Sequence, residues 1–113
     1  MLKQVQHDVF LGDTYMSELY RAEIISNQSV QEDIVERLEK EIPSIQYTII
    51  PEIHGRGAHT KKLGDTVWPE MNFVLFAYVE KDEALKIKEV AAAVKERFPN
   101  EGISLFFTKA EEL

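Results

Sequence analysis

The chain has 113 residues, a net charge of −7 at pH 7 and no cysteine. This length fits one domain, and a hydrophobic content of 44% suits a packed core. The negative charge argues against nucleic-acid binding, which needs cations that neutralise phosphates. No apolar run reaches the ~18 residues needed for membrane insertion. The missing thiols exclude disulfides and favour a cytoplasmic location.

The N-terminal region is the least informative part of the sequence. Residues 1–18 show no clear period, and we treat them as an N-terminal arm of uncertain structure that is a strand, a helix or a segment packed on a neighbour. A single domain follows over residues 19–113. Its first element is a half-buried strand from Tyr20 to Ser26, because apolar and polar side chains alternate there.

The next elements are a helix and a strand. Ser29 and Glu32 have the spacing of a capping box, which predicts a helix start, and Pro43 ends that helix. The apolar face of the helix consists of Val30, Ile34, Val35, Leu38 and Ile42. The stretch Gln46–Ile53 is rich in Ile, Tyr and Thr and predicts a strand. Pro51 predicts an edge position or a bulge in that strand, because proline lacks the N–H that a central strand donates.

The second half of the chain repeats this pattern. Residues Asn72–Glu80 form the most apolar predicted strand, and Asp82 is the expected N-cap of a second helix. That helix has an unbroken apolar stripe made of Ala84, Ile87, Ala91, Val94 and Phe98. Residues 99–102 end the helix, and Ile103–Thr108 is the last predicted strand.

The order strand, helix, strand, strand, helix, strand predicts an α+β fold of ferredoxin-like βαββαβ type. Two helices cover only one face of its four-stranded antiparallel sheet, yet Val74, Phe76 and Tyr78 make the third strand apolar on its second face, which Phe106 joins. Exposed apolar faces mark interfaces, so we expect a homo-oligomer whose sheets face inward. The alternative is that residues 1–18 fold back over this face.

The most unusual stretch is the long loop over residues 54–71, between the second and third predicted strands. It contains three of the five glycines, two of the three histidines and the only tryptophan. Loops in compact domains usually have about 4–6 residues, and longer ones are often functional. We therefore expect the binding residues to lie here, on an otherwise rigid scaffold.

Anion binding is the first chemistry that this loop suggests. Gly55 and Gly57 allow backbone N–H groups to approach an anion closely, and Arg56 adds a planar guanidinium with five donors. Lys61 and Lys62 add charge to the same loop. The structural alternative is that the glycines only turn the chain out of the strand and that the lysines only face solvent.

Two further candidates are a ring-stacking site and a metal site. Trp68 either anchors the returning limb of the loop or stacks on the ring of a ligand. His54 and His59 could bind a divalent metal ion such as zinc, nickel, copper or cobalt, since neutral imidazole suits these metals. The sequence contains no set of nucleophile, base and orienting group, so we do not expect an enzyme; the ferredoxin-like fold alone would support one.

The loop sequence resembles that of the PII-like signal-transduction proteins. The resemblance covers roughly residues 20–108 and is most specific in Gly55-Arg56-Gly57 and in residues 64–72, GDTVWPEMN. It implies a homotrimer with a small-molecule effector, such as an adenine nucleotide, between subunits. It also implies a loop that contacts a transporter or an enzyme. CutA-type divalent-cation-tolerance proteins share the trimeric fold and make metal binding the alternative function.

Two differences separate this chain from the nitrogen regulatory PII proteins. Those proteins hold nucleotide phosphates with a glycine-rich basic loop between the second helix and the last strand, where this chain has Phe98–Gly102 with an acid at Glu101. The long loop also contains no tyrosine, so the sequence does not support control by tyrosine modification. Both differences indicate a divergent PII-like protein.

Overall fold

The computed structural model describes residues 8–11, 14–55 and 70–113. Its strands are β1 (Asp8–Leu11), β2 (Thr14–Ser17), β3 (Leu19–Asn27), β4 (Thr48–Gly55), β5 (Glu70–Val79) and β6 (Ile103–Ala110), and its helices are α1 (Gln31–Glu41) and α2 (Lys81–Arg97). A short 3-10 helix, Gln28–Val30, leads into α1. The six elements from β3 to β6 confirm the predicted order.

The main sheet has four strands in the order β4-β5-β3-β6, and each neighbouring pair is antiparallel. The first and last strands of the domain, β3 and β6, are therefore neighbours although the whole domain separates them in sequence. This confirms the ferredoxin-like α+β fold. It also leaves β4 and β6 as the two edges.

The core lies between one face of the sheet and the two helices. On β5 the alternate residues Phe73, Leu75, Ala77 and Val79 are all buried, as the sequence predicts. They pack against apolar side chains of the helices, including Ile34 and Leu38 of α1 and Ile87, Val90 and Val94 of α2. Full burial of one such side chain contributes ~1.5–3 kcal/mol, so this layer dominates the stability of the domain.

Both predicted helix caps are wrong in detail. Asn27, and not Ser29, is the N-cap of the 3-10 helix, and its side chain accepts a hydrogen bond from the backbone N–H of Ser29. At α2 the N-cap is Glu80, which forms a capping box with Glu83. Asp82 lies inside the first turn and accepts a hydrogen bond from the N–H of Glu83. In both places the chain enters the helix earlier than the apolar pattern indicates, so another polar residue reaches the free N–H groups.

Pro51 lies where the sequence predicts an irregular edge strand. β4 is an edge strand, and its pairing with β5 shifts register between Ile50 and Ile53. Glu52, inside the shift, has a φ of 55°, in the left-handed region that non-glycine residues rarely adopt. The prediction of an edge or a bulge is therefore confirmed on both counts.

Part of the N-terminal arm forms a hairpin. β1 and β2 pair antiparallel in a two-stranded sheet separate from the main one, with Leu11 opposite Thr14. Only Glu18 separates β2 from β3. Within the described part of the chain, no helix is both long and apolar enough to cross a membrane.

Candidate functional site

The long loop leaves and re-enters the sheet at one point. Gly55 at the end of β4 pairs with Glu70 at the start of β5, and His54 pairs with Met71. The two ends of the loop therefore lie on adjacent strands of the main sheet. One face of this sheet packs against the two helices.

Gly55 lies where a side chain approaches the backbone closely. A β-carbon at this position would lie 2.6 Å from Nδ2 of Asn72. Asn72 in turn pairs across the sheet with Asn27 at the end of β3. The glycine thus lets an amide side chain lie over the base of the loop, which supports the view that Gly55 has a structural role beyond turning the chain.

The turn between α2 and β6 is held at the same end of the sheet. The hydroxyl of Ser29 donates a hydrogen bond to Oε1 of Glu101 over 3.1 Å. The N–H of Asn27 also donates to the carbonyl of Gly102. Because Asn27 is paired with Asn72, the acidic turn and the loop base share one end of the molecule. A phosphate bound at this end would meet the carboxylate of Glu101 and would be disfavoured in proportion to its charge.

Sequence reasoning missed the two asparagines at this end. Asn27 immediately precedes a helix, and Asn72 immediately precedes the most apolar run of the chain. Both positions are typical of polar residues that end an element. What the sequence does not show is that β3 and β5 are neighbours, which brings the two residues opposite each other.

Most of the predicted site residues lie outside the described part of the chain. These are Arg56, Gly57, His59, Lys61, Lys62 and Trp68. Of the predicted ligand-binding residues only Gly55 is described, and of the predicted metal ligands only His54, which is exposed. Among the described residues no three His, Cys, Asp or Glu side chains are grouped so that they could hold a metal ion.

The second face of the main sheet carries a mixed polar and aromatic cluster. Arg21 donates one hydrogen bond to the hydroxyl of Tyr78 over 3.0 Å and one to Glu23 over 3.1 Å. Its guanidinium carbon also lies 4.2 Å from the ring centroid of Phe76. The hydrogen bonds to Glu23 and then to Tyr78 raise the pKa of Arg21 above its ordinary value, so the group stays cationic.

The same face is apolar elsewhere, as the sequence predicts. Tyr78 and Phe106 are each 54% exposed and Ile50 is 46% exposed, and Val74 and Phe76 are half-buried. No helix of the described chain covers these side chains, because both helices pack on the opposite face. Exposed apolar side chains that share one face of a sheet are typical of an interaction surface.

Comparison with known proteins identifies solved structures that share this fold. Neither a protein-family model nor a curated protein sequence matches the chain. Solved structures do match. A PII-like signalling protein from Thermus thermophilus is 22% identical with a TM-score of 0.57, over 82% of this chain and 87% of the other. CPII from Thiomonas intermedia K12, a nitrogen regulatory PII-like protein bound to ADP, AMP and bicarbonate, is 16% identical with a TM-score of 0.59, over 85% and 96%.

A third structure is the complex of Bacillus subtilis GlnK with ATP. It is 17% identical to this chain with a TM-score of 0.59, over 82% of each chain. The chain therefore has the fold of the PII-like signalling proteins, and the resemblance drawn from the loop sequence is confirmed at that level.

Proposed function

We propose that this protein is a cytoplasmic PII-like regulator, and not an enzyme, that binds an adenine nucleotide and signals through its long loop. The observation that supports it most is the loop base, where Gly55 and Glu70 join a basic, glycine-containing loop to a PII-like sheet. The structural neighbours include proteins bound to ADP, AMP and ATP. In this chain Arg56, Lys61 and Lys62 supply the positive charge that phosphates need. Trp68 supplies an aromatic ring on which the adenine could stack.

The working assembly in this proposal is a homotrimer. The open sheet face with Tyr78, Phe106 and Ile50 supports it, since burying these side chains between subunits removes apolar area from water. Arg21 and Glu23 satisfy each other on that face, so its centre can be buried without an unpaired charge. Three sheets that face inward leave the loop bases at the subunit boundaries, where the nucleotide would bind.

Signalling in this proposal requires a difference in affinity. A nucleotide shifts the loop toward the conformation that a transporter or an enzyme recognises only if it binds that conformation more tightly than the others. Glu101 sets which nucleotide is preferred, because each added phosphate brings more negative charge to the end of the molecule that carries this carboxylate. AMP and ADP are therefore expected to bind better than ATP.

Calorimetry with AMP, ADP and ATP tests the proposal. Arg56→Ala should weaken nucleotide binding more than Lys61→Ala, because a charge-assisted hydrogen bond contributes ~1.5–3 kcal/mol and an exposed lysine much less. Both variants should keep the oligomer of the parent protein. If no nucleotide binds, or if Arg56→Ala binds all three normally, the proposal is wrong.

Calorimetry also tests the alternative function, metal binding. Zinc, nickel, copper and cobalt should bind no more tightly to the parent protein than to a variant with His54→Ala and His59→Ala. Tight binding that both substitutions abolish, and that weakens below about pH 6 as imidazole takes up protons, would establish the CutA-like function instead.

A further inference from the structure

A groove runs between α2 and the edge strand β6, on the helix-covered side of the sheet. It has a volume of about 390 Å³. Its floor is apolar and consists of Ile103, Leu105, Phe107, Ala91 and Ala92. Two lysines, Lys88 and Lys95, line its helical side, and both are exposed. The groove is therefore an apolar channel with positive charge along one wall.

The strand beside this groove has a free and regular edge. Within the described chain β6 pairs only with β3, and its register runs without a shift from Ile103 opposite Ser26 to Ala110 opposite Leu19. The strand contains neither proline nor glycine. Natural edge strands are usually blunted by proline, bulges or inward charges, because a bare edge offers its N–H and C=O groups to another strand. β6 has neither a proline nor a bulge. Its one charged residue, Lys109, lies near the end of the strand and pairs with Glu18 over 3.4 Å, so the edge over residues 103–108 can accept another strand.

We propose that the β6 edge and this groove bind an extended acidic segment of a partner protein as a fifth strand. The backbone of the segment would pair with β6. Every second side chain would then point into the groove, since side chains alternate along a strand. Apolar side chains would lie over Leu105 and Phe107, and carboxylates would meet Lys88 and Lys95. The proposal uses none of the nucleotide-binding residues and adds a second surface to the proposed regulator.

The lysine spacing specifies the segment. Lys88 and Lys95 lie seven residues apart on one helix, which at ~1.5 Å per residue is about 10 Å. A strand advances ~3.3 Å per residue, and its same-face positions are two or four residues apart. Two acidic residues four positions apart on the bound strand therefore match the lysine separation better than two positions apart, because the flexible lysine side chains can span the remaining difference. The expected motif is therefore acid, any residue, apolar, any residue, acid.

A second copy of this chain fits the groove poorly. If β6 paired with β6 of another copy, Lys88 and Lys95 of both copies would approach each other, and like charges repel. The other free edge, β4, is interrupted by Pro51 and by the left-handed backbone of Glu52. Charge complementarity thus favours an acidic partner of different sequence.

The probe is a fluorescein-labelled peptide of sequence threonine-glutamate-threonine-valine-threonine-glutamate-threonine, added to the whole protein without nucleotide. Fluorescence anisotropy should show saturable binding that weakens with salt. A peptide with glutamine in place of both glutamates should bind about threefold to tenfold more weakly, because two exposed ion pairs are lost. Absence of binding by the acidic peptide overturns the proposal.

Matched variants locate the site. Lys88→Glu with Lys95→Glu should reduce the affinity about tenfold or more. Lys40→Glu with Lys86→Glu changes the net charge equally, uses exposed lysines outside the groove, and should leave the affinity within about twofold of the parent. Equal losses in the two double variants would mean non-specific attraction and would contradict the proposal.

Amide exchange monitored by NMR tests the strand pairing itself. The outward amides of residues 103–110 should exchange quickly in the free protein and become protected when the peptide binds. If these amides are already protected in the free oligomer, the edge is occupied by a second copy and the proposal is wrong. Protection confined to β4 would also contradict it.

Discussion

The guanidinium of Arg21 lies 4.2 Å from the ring centroid of Phe76, on the sheet face that the helices leave open. The two residues belong to neighbouring strands, β3 and β5. A cation over an aromatic ring contributes ~0.5–1 kcal/mol at exposed sites and more when water is removed. Burial of this face in the proposed oligomer would therefore strengthen a contact that already exists within one subunit.

Substitution on the open face should dissociate the oligomer. Phe106 is 54% exposed in one subunit, so Phe106→Asp costs little in a folded monomer but places an unpaired carboxylate in a buried interface. Phe76→Asp should dissociate or unfold the protein, because Phe76 is already half-buried. Light scattering after size exclusion should give the mass of a trimer for the parent protein and of a monomer for Phe106→Asp.

The control for this prediction is Leu85→Asp. Leu85 is 53% exposed on α2, away from the sheet, and matches Phe106 in exposure. This variant should keep the parent mass. A parent protein that is monomeric at micromolar concentration, or a Phe106→Asp variant that remains trimeric, would contradict the proposed interface.

Gly55→Ala should destabilise the loop base. The new methyl group would lie 2.6 Å from Nδ2 of Asn72 and must displace that side chain. We expect a loss of about 1 kcal/mol in the free energy of unfolding, measured by urea denaturation at one protein concentration. In an Asn72→Ala background the same substitution should cost almost nothing, because the contact is gone.

Gly102→Ala provides the matched glycine control. A β-carbon at Gly102 meets no other atom of the described chain within 4 Å. The substitution should therefore be neutral or slightly stabilising, since alanine restricts the unfolded chain more than glycine. Equal losses for the two glycines would show that the close approach at Gly55 is not the cause.

Glu101→Gln should improve binding of ATP relative to AMP. The amide oxygen of glutamine can still accept the hydrogen bond from Ser29, so the turn is preserved while its charge is removed. Removal of one partly screened charge should raise the affinity for ATP about threefold to tenfold. Glu112→Gln, beyond β6 at the opposite end of the sheet, should change neither affinity in calorimetry.

Tyr47 should titrate at unusually high pH. Its hydroxyl donates to Glu39 over 2.6 Å, and this hydrogen bond, followed by partial burial, raises the pKa of Tyr47. The folded state thus holds the phenolic proton more tightly than the unfolded chain. The resulting stability is complete below pH ~10, the ordinary pKa of tyrosine, and is lost as the pH rises through the raised value.

The measurement for Tyr47 is the difference between the parent protein and Tyr47→Phe. At pH 7 the substitution should lower the free energy of unfolding by no more than about 1 kcal/mol, because solvent competes with a surface hydrogen bond. Above pH ~10 this difference should shrink. An alkaline absorbance titration in which Tyr47→Phe removes a tyrosine that titrates above pH ~10 would confirm the assignment.

The sequence predicted the elements of the main sheet and the core because both follow from local periodicity. Alternation along β5 identified its four buried residues, and the three-and-four spacing on α2 identified Ala84, Ile87 and Val94. Pro51 likewise predicted the irregular edge strand from local information, because proline lacks a backbone N–H whatever the surrounding fold. The predicted helix caps were wrong, because the N-cap position depends on the backbone dihedral angles where the chain enters the helix.

The sequence by itself therefore determined which residues face the core, where the long loop lies and what chemistry its side chains offer. Only the tertiary structure decided which residues meet across the sheet. Arg21 reaches Phe76 and Asn72 lies over Gly55. Among the described residues, β6 pairs on one side only, and its other edge lies beside Lys88. Strand order sets all three, and strand order is fixed by non-local pairing that no local pattern encodes.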